Sequence, residues 1–112
     1  MNSAKLALVA ILASSPCLAM ELPRYDPEKT CEATASSGAG RSRAMYRDCI
    51  KWEQEGYDAV KKSWGGLEEP VQRHCDEQAK FVTPAGSYRQ LQYCASAETE
   101  AAKKAGETKF KF

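Results

Sequence analysis

SRAMYRDCIKWEQEGYDAVKKSW, residues 42–64, contains no proline and a single glycine, Gly56, and repeats its apolar positions at helical spacing. Met45, Cys49, Trp52, Glu53, Gly56, Val60 and Trp64 fall close to one stripe of an α-helix, with Tyr46, Ile50 and Tyr57 beside it. The stretch predicts the longest helix of the chain. Gly65 and Gly66 follow it and are expected to stop it in the manner of a C-cap. A helix with one apolar stripe must bury that stripe against other elements, so the flanking sequence has to supply them.

Upstream, Asp26 offers a capping oxygen, Pro27 suits a first helical position and Glu28 complements the helix dipole, which predicts a short helix from Pro27 to about Ala35. It carries Cys31 and ends in the loop Ser36-Ser37-Gly38-Ala39-Gly40. Downstream, a helix is expected from near Pro70 to about Val82, with Val71, Cys75, Ala79 and Val82 on one face. Thr83-Pro84-Ala85-Gly86 breaks it. Ser87 with Gln90 three residues on has the form of a capping box, so a last helix starts at Tyr88, using Leu91, Cys94, Ala95, Glu98 and Ala101 or Ala102 inward and fraying towards Gly106. Residues 20–25 read as an extended arm, and residues 107–112, with Lys109-Phe110-Lys111-Phe112, as a frayed tail. The fold class is therefore all-α: a small disulfide-linked bundle of three main helices plus a short N-terminal one, one domain over residues 20–106.

Residues 1–19 have the form of an export signal, with Lys5, the apolar run Leu6–Ala13, and small residues Cys17 and Ala19 before an expected cleavage at Met20. The run is too short to span a bilayer, so no stable membrane insertion is expected after cleavage. A periplasmic or secreted location follows. Losing Lys5 leaves 15 basic residues against 15 acidic ones, a balance that gives no long-range field for nucleic acid.

The remaining chain, about 93 residues, is short of aliphatic bulk, since its branched residues are Leu22, Ile50, Val60, Leu67, Val71, Val82 and Leu91. Tyr46, Trp52, Tyr57, Trp64, Phe81, Tyr88 and Tyr93 are the aromatic core candidates. Cross-links should make good the rest. Cys31, Cys49, Cys75 and Cys94 form an even set in an oxidising compartment and read as disulfides. Residues equally far from the turn of a helical hairpin face each other, which favours Cys31 with Cys49 and Cys75 with Cys94. Cys31 with Cys75 and Cys49 with Cys94 is the runner-up.

No catalytic constellation is recognisable, and no cofactor is called for. The cysteines lack zinc spacing, Cys-x-x-Cys-His is absent, and His74 is alone. Asp48, Glu53, Glu55 and Asp58 lie among Lys51, Lys61 and Lys62 at helical spacing and read as a solvated, ion-paired face. Arg41, Arg43, Arg47 and Lys51 form a basic run whose first reading is local solubility. Trp52 and Trp64 are twelve residues apart, about 120° different in direction round the helix, so one can pack inward while the other stands out. Core use is the favoured reading for both; an exposed tryptophan beside Tyr57 would serve as a contact anchor. Trp52, Tyr57 and Trp64 are thus the candidate binding residues.

The run Cys49 to Trp64, then Cys75, then Gly86-Ser87-Tyr88-Arg89-Gln90-Leu91-Gln92-Tyr93-Cys94, resembles small exported four-cysteine proteins of alphaproteobacteria, a group that implies a periplasmic origin and no particular activity. More distantly, the four-cysteine helical layout and the Cys75, Gly86-Ser87, Cys94 ending resemble the LprI-like lysozyme inhibitor family, though the stretch between Cys49 and Cys75 is shorter here. That resemblance implies a helical fold that binds and blocks a cell-wall hydrolase. The expected function is a binding module without turnover, an envelope interaction or hydrolase-inhibitor protein with an envelope protein as partner. The alternative is a small-ligand or stress-related periplasmic binding protein using an aromatic cleft near Trp52, Tyr57 and Trp64.

Overall fold

A computed structural model describes residues 20–104 and 109–112. The expected leader, residues 1–19, lies outside the described residues, as does the expected domain end at Gly106. In chain order the elements are α1 (Pro27–Ala35), α2 (Arg43–Ser63), a 3₁₀ turn (Trp64–Gly66), α3 (Glu69–Val82) and α4 (Tyr88–Lys103). The described residues contain no strand and no helix long and apolar enough to cross a membrane.

Local capping chemistry sets most of these boundaries. Lys29 N donates to Asp26 Oδ1 at 3.1 Å at the head of α1, and Met45 N donates to Ser42 Oγ at 3.1 Å at the head of α2. Gln90 N donates to Ser87 Oγ at 3.1 Å at the head of α4. The capping box is only half made, because the Gln90 side chain does not reach back to Ser87 N; the Ser87 hydroxyl, while accepting from Gln90 N, gives its own proton to Glu53. The end of α2 also differs from expectation. Gly65 and Gly66 are not left-handed caps; the helix tightens into the 3₁₀ turn through them, and the only positive φ among the described residues is Gly86 at 88°. Gly86 needs that freedom twice over, since a Cβ there would also strike the Tyr25 ring.

The two bridges are Cys31–Cys49 and Cys75–Cys94, with Cα atoms 5.5 and 5.4 Å apart. The first ties α1 to α2 and the second ties α3 to α4. The core joins Val60, Trp64, Cys75, Ala79, Tyr88, Leu91 and Ala95, with Leu22, Tyr25, Tyr57, Leu67 and Val71 packed at its edge. Four expected core residues are exposed and lie outside it: Phe81 and Val82 on α3, and Trp52 and Tyr93, which stand on the outer side of the α2–α4 crossing. Phe81 is 85 % exposed because it lies about 200° round α3 from buried Ala79, and Val82, the last residue of the helix, is exposed with it. At the other end of α3, Gln72 is fully buried on the inner face.

The arm is not loose. Its peptide groups are hydrogen-bonded by side chains of the bundle: Met20 N donates to Gln72 Oε1 (2.8 Å), Trp64 Nε1 donates to Met20 O (2.9 Å), and Tyr88 Oη donates to Pro23 O (2.9 Å) while accepting from Tyr25 N (2.8 Å). Asp26 N reaches Ala85 O at 3.2 Å. Gln72 completes the set by donating to Trp64 O at 2.8 Å, which satisfies a buried amide that would otherwise cost stability. The tail residues Lys109–Phe112 have no regular structure and are exposed.

Candidate functional site

Glu53 organises the middle of the molecule. Only 4 % of it is exposed, and its carboxylate reaches from α2 to the head of α4, where Oε2 accepts from Ser87 Oγ and Oε1 accepts from Tyr88 N, both at 2.6 Å. A carboxylate so placed satisfies a free N–H of the first turn and complements the positive end of the helix dipole. The expectation of a solvated, ion-paired face is therefore corrected for this residue. Glu55 and Asp58 are exposed as expected, and Gln54 donates to Asp58 Oδ1 at 3.0 Å.

Gly56 lies one turn further along α2 and lets α4 approach. A Cβ built there would stand 2.8 Å from Arg89 Cα, Arg89 N and Tyr88 C. This close crossing places three side chains together on the outside. The Arg89 guanidinium lies 4.4 Å from the Trp52 ring centroid and 5.5 Å from that of Tyr93, and Arg89 Nε donates to Tyr93 Oη at 2.9 Å. Trp52 is 44 % exposed and Tyr93 is also exposed. Beside them a shallow cavity of about 450 Å³ is lined by Glu55, Gly56, Ala59 and Gln92 as well as the triad.

A second cavity, about 510 Å³, opens between the arm, the start of α1, α2 and Tyr88. Its aromatic wall is continuous: Tyr25 and Tyr88 have centroids 4.7 Å apart, and Tyr57 meets Tyr88 edge-on at 4.9 Å. The three candidate residues do not share one cleft. Trp52 belongs to the first cavity, Tyr57 to the second, and Trp64 is buried in the core with its indole N–H spent on Met20.

Arg89, Tyr93, Glu53 and Tyr25 were not singled out by the sequence as site residues. Arg89 and Tyr93 carried one usable signal, their four-residue spacing on a helix, which places them side by side. The basic run on α2 does not act as a unit, since Arg41 pairs with Glu32 at 2.7 Å and stacks on Tyr46 at 4.8 Å. That contact holds the Glu32 carboxyl below its usual range, chiefly through the Arg41 hydrogen bond. Among the described residues no group of three or more His, Cys, Asp or Glu side chains could hold a metal ion.

Burial, and next the 2.6 Å hydrogen bond to Asp76 Oδ1, push the Tyr25 phenol well above its ordinary value. The folded state therefore holds this proton more tightly than the unfolded chain does. The stability it confers is complete below about pH 10, where the unfolded phenol titrates, and is lost as pH rises above that towards the folded value. Lys80, whose Nζ is 3.0 Å from Asp76 Oδ2, faces the same carboxylate. Denaturant midpoints measured at about pH 9 and about pH 11 should fall more for the native chain than for Tyr25→Phe, which keeps Lys80 and lacks the phenol. Equal falls would refute the assignment.

Compared with models of protein families, with characterised proteins and with solved structures, the chain matches none.

Proposed function

We propose that this chain is an exported envelope protein that binds a partner protein without turnover, and that Trp52, Arg89 and Tyr93 are its contact anchors. The observation that carries the reading is the Arg89 guanidinium held against the exposed Trp52 ring, 4.4 Å from its centroid, on a second helix. Tryptophan, arginine and tyrosine are the residue types that dominate binding energy at protein interfaces. Here they are fixed in advance by the Gly56 crossing and the Cys75–Cys94 bridge, which lowers the ordering entropy lost on association. A guanidinium whose Nε is spent on Tyr93 still presents its terminal N–H groups, and a carboxylate takes that fork with two hydrogen bonds. Two disulfides suit an oxidising compartment, which supports the periplasm or the exterior as the place of action.

A cell-wall hydrolase is the partner class that these features favour, because its cleft carries paired carboxylates between apolar walls. The test is titration of the processed chain into a purified lysozyme digesting peptidoglycan. Inhibition is expected, and Arg89→Ala or Trp52→Ala should weaken it by about 30-fold or more, the scale of one hot-spot residue. Undiminished lysis at saturating concentration would reject the hydrolase; variants as potent as the native chain would reject these anchors.

A further inference from the structure

We infer that the second cavity, bounded by Leu22, Pro23, Tyr25, Ile50, Tyr57 and Tyr88, is a binding site for a small organic ammonium ion. The inference is independent of the Trp52 face. At about 510 Å³ the cavity has the volume of small-molecule sites, and its walls are mostly apolar and aromatic, as such sites are.

Its polar groups select the ligand's charge. Glu53 lines the cavity, is more than nine-tenths buried, and has one hydrogen bond to each oxygen, which leaves further lone pairs on both. Its two partners, the Ser87 hydroxyl and the Tyr88 N–H, are both uncharged, so neither neutralises it. Glu28, which is exposed, also lines the cavity, and exposed Arg24 offsets its charge, so the lining keeps the charge of buried Glu53. One uncompensated carboxylate in a partly enclosed space disfavours an anion and attracts a cation.

The tyrosines select its chemical type. Two of their hydroxyls are already committed, Tyr25 Oη to Asp76 and Tyr88 Oη to the arm, so what these residues offer a ligand is ring surface and not hydrogen bonds. That combination suits a sugar poorly. Clustered aromatic faces beside a carboxylate are the means by which proteins hold ammonium groups. The chain contains an example of the same attraction, since Lys61 Nζ already sits 5.2 Å from the Tyr57 centroid. A metal cation would find only two lining carboxylates and no sulfur or imidazole.

The ammonium could come from a free amine or from a lysine of a peptide, and the experiment separates them. Nitrogen-edited NMR titrations of the processed chain would compare choline, its uncharged isostere 3,3-dimethylbutan-1-ol, and a short neutral-ended peptide with one lysine. Choline should shift the amides of Leu22, Ile50, Tyr57 and Tyr88 and bind about tenfold more tightly than the isostere. Glu53→Gln keeps the shape and the acceptor for Tyr88 N; it should erase the preference for charge and leave isostere binding unchanged. If that variant does not fold, Tyr57→Leu, at a half-buried position outside the helix cap, carries the test and should weaken choline by a similar factor. Shifts with the lysine peptide and not with choline would assign the ammonium to a partner's side chain. Equal affinity for choline and the isostere, shifts mapping elsewhere, or no shifts with any of the three would overturn the inference.

Discussion

Gly56→Val is expected to unfold the head of α4 and to be the most damaging single substitution on α2. Even the first added carbon would lie 2.8 Å from three backbone atoms of residues 88 and 89, and backbone cannot swing aside as a side chain can. The helices must separate. Overpacking of this kind costs about 1–3 kcal/mol, and separation also stretches the Glu53 hydrogen bonds to Ser87 and Tyr88, each charge-assisted bond contributing about 1.5–3 kcal/mol. Valine brings only about a few tenths of a kcal/mol of helix preference over glycine, too little to offset this. Alanine brings about 1 kcal/mol over glycine, so Gly56→Ala should be milder but still destabilising. Thermal melts followed by circular dichroism measure both. A melting temperature for Gly56→Val within a few degrees of the native chain would show that α2 and α4 do not cross this closely.

Removing the Cys75–Cys94 bridge with paired alanines should cost about 3 kcal/mol for a closed loop with a sequence separation of 19, a large fraction of the stability of a domain this small. The melting temperature should fall by about 15–25 °C, given about 4–8 °C per kcal/mol at this size. The Cys31–Cys49 bridge closes a loop of nearly the same span, separation 18, so chain entropy alone predicts an equal loss on its removal. The surroundings break the tie. Cys31 and Cys49 are buried too, so both changes leave a void, but Cys75 lies in the main core cluster with Val60, Trp64 and Leu91, whereas Cys31 and Cys49 lie outside it between α1 and α2, so the first void disturbs more of the fold. The Cys75–Cys94 variant should melt lower, and Cys31–Cys49 removal should mainly raise amide exchange in α1. Equal melting temperatures for the two variants would contradict this division.

What the sequence made legible was chemistry carried within a few residues. Asp26-Pro27 and Ser87 marked two helix starts because each cap bonds an amide three residues on, whereas the cap that Ser42 makes for α2 is visible only in the structure. The pairing of the cysteines was also accessible, since equal distance from a turn is a matter of counting along two helices. Glu53 was misread because its partners lie 34 and 35 residues away, and nothing local separates a carboxylate that caps a distant helix from one that faces water. Gln72 and the arm share that difficulty, with Met20 and Gln72 52 positions apart. The two tryptophans were partly legible: their angular difference left room for one inside and one outside, but core use was the favoured reading, and it holds for Trp64 and fails for Trp52, which the packing of α4 leaves outside.

The arm is gripped through its main chain, by Gln72, Trp64 and Tyr88 acting on peptide N–H and C=O groups. Pro23 and Arg24 line the cavity whose edge they form, and exposed Arg24 takes no part in those main-chain bonds. Anchorage and lining are thereby divided between neighbouring residues of one segment. Substitution at position 24 can alter which guests are welcomed while the strap itself stays fastened, so ligand preference in a scaffold of this kind can drift without renegotiating the fold.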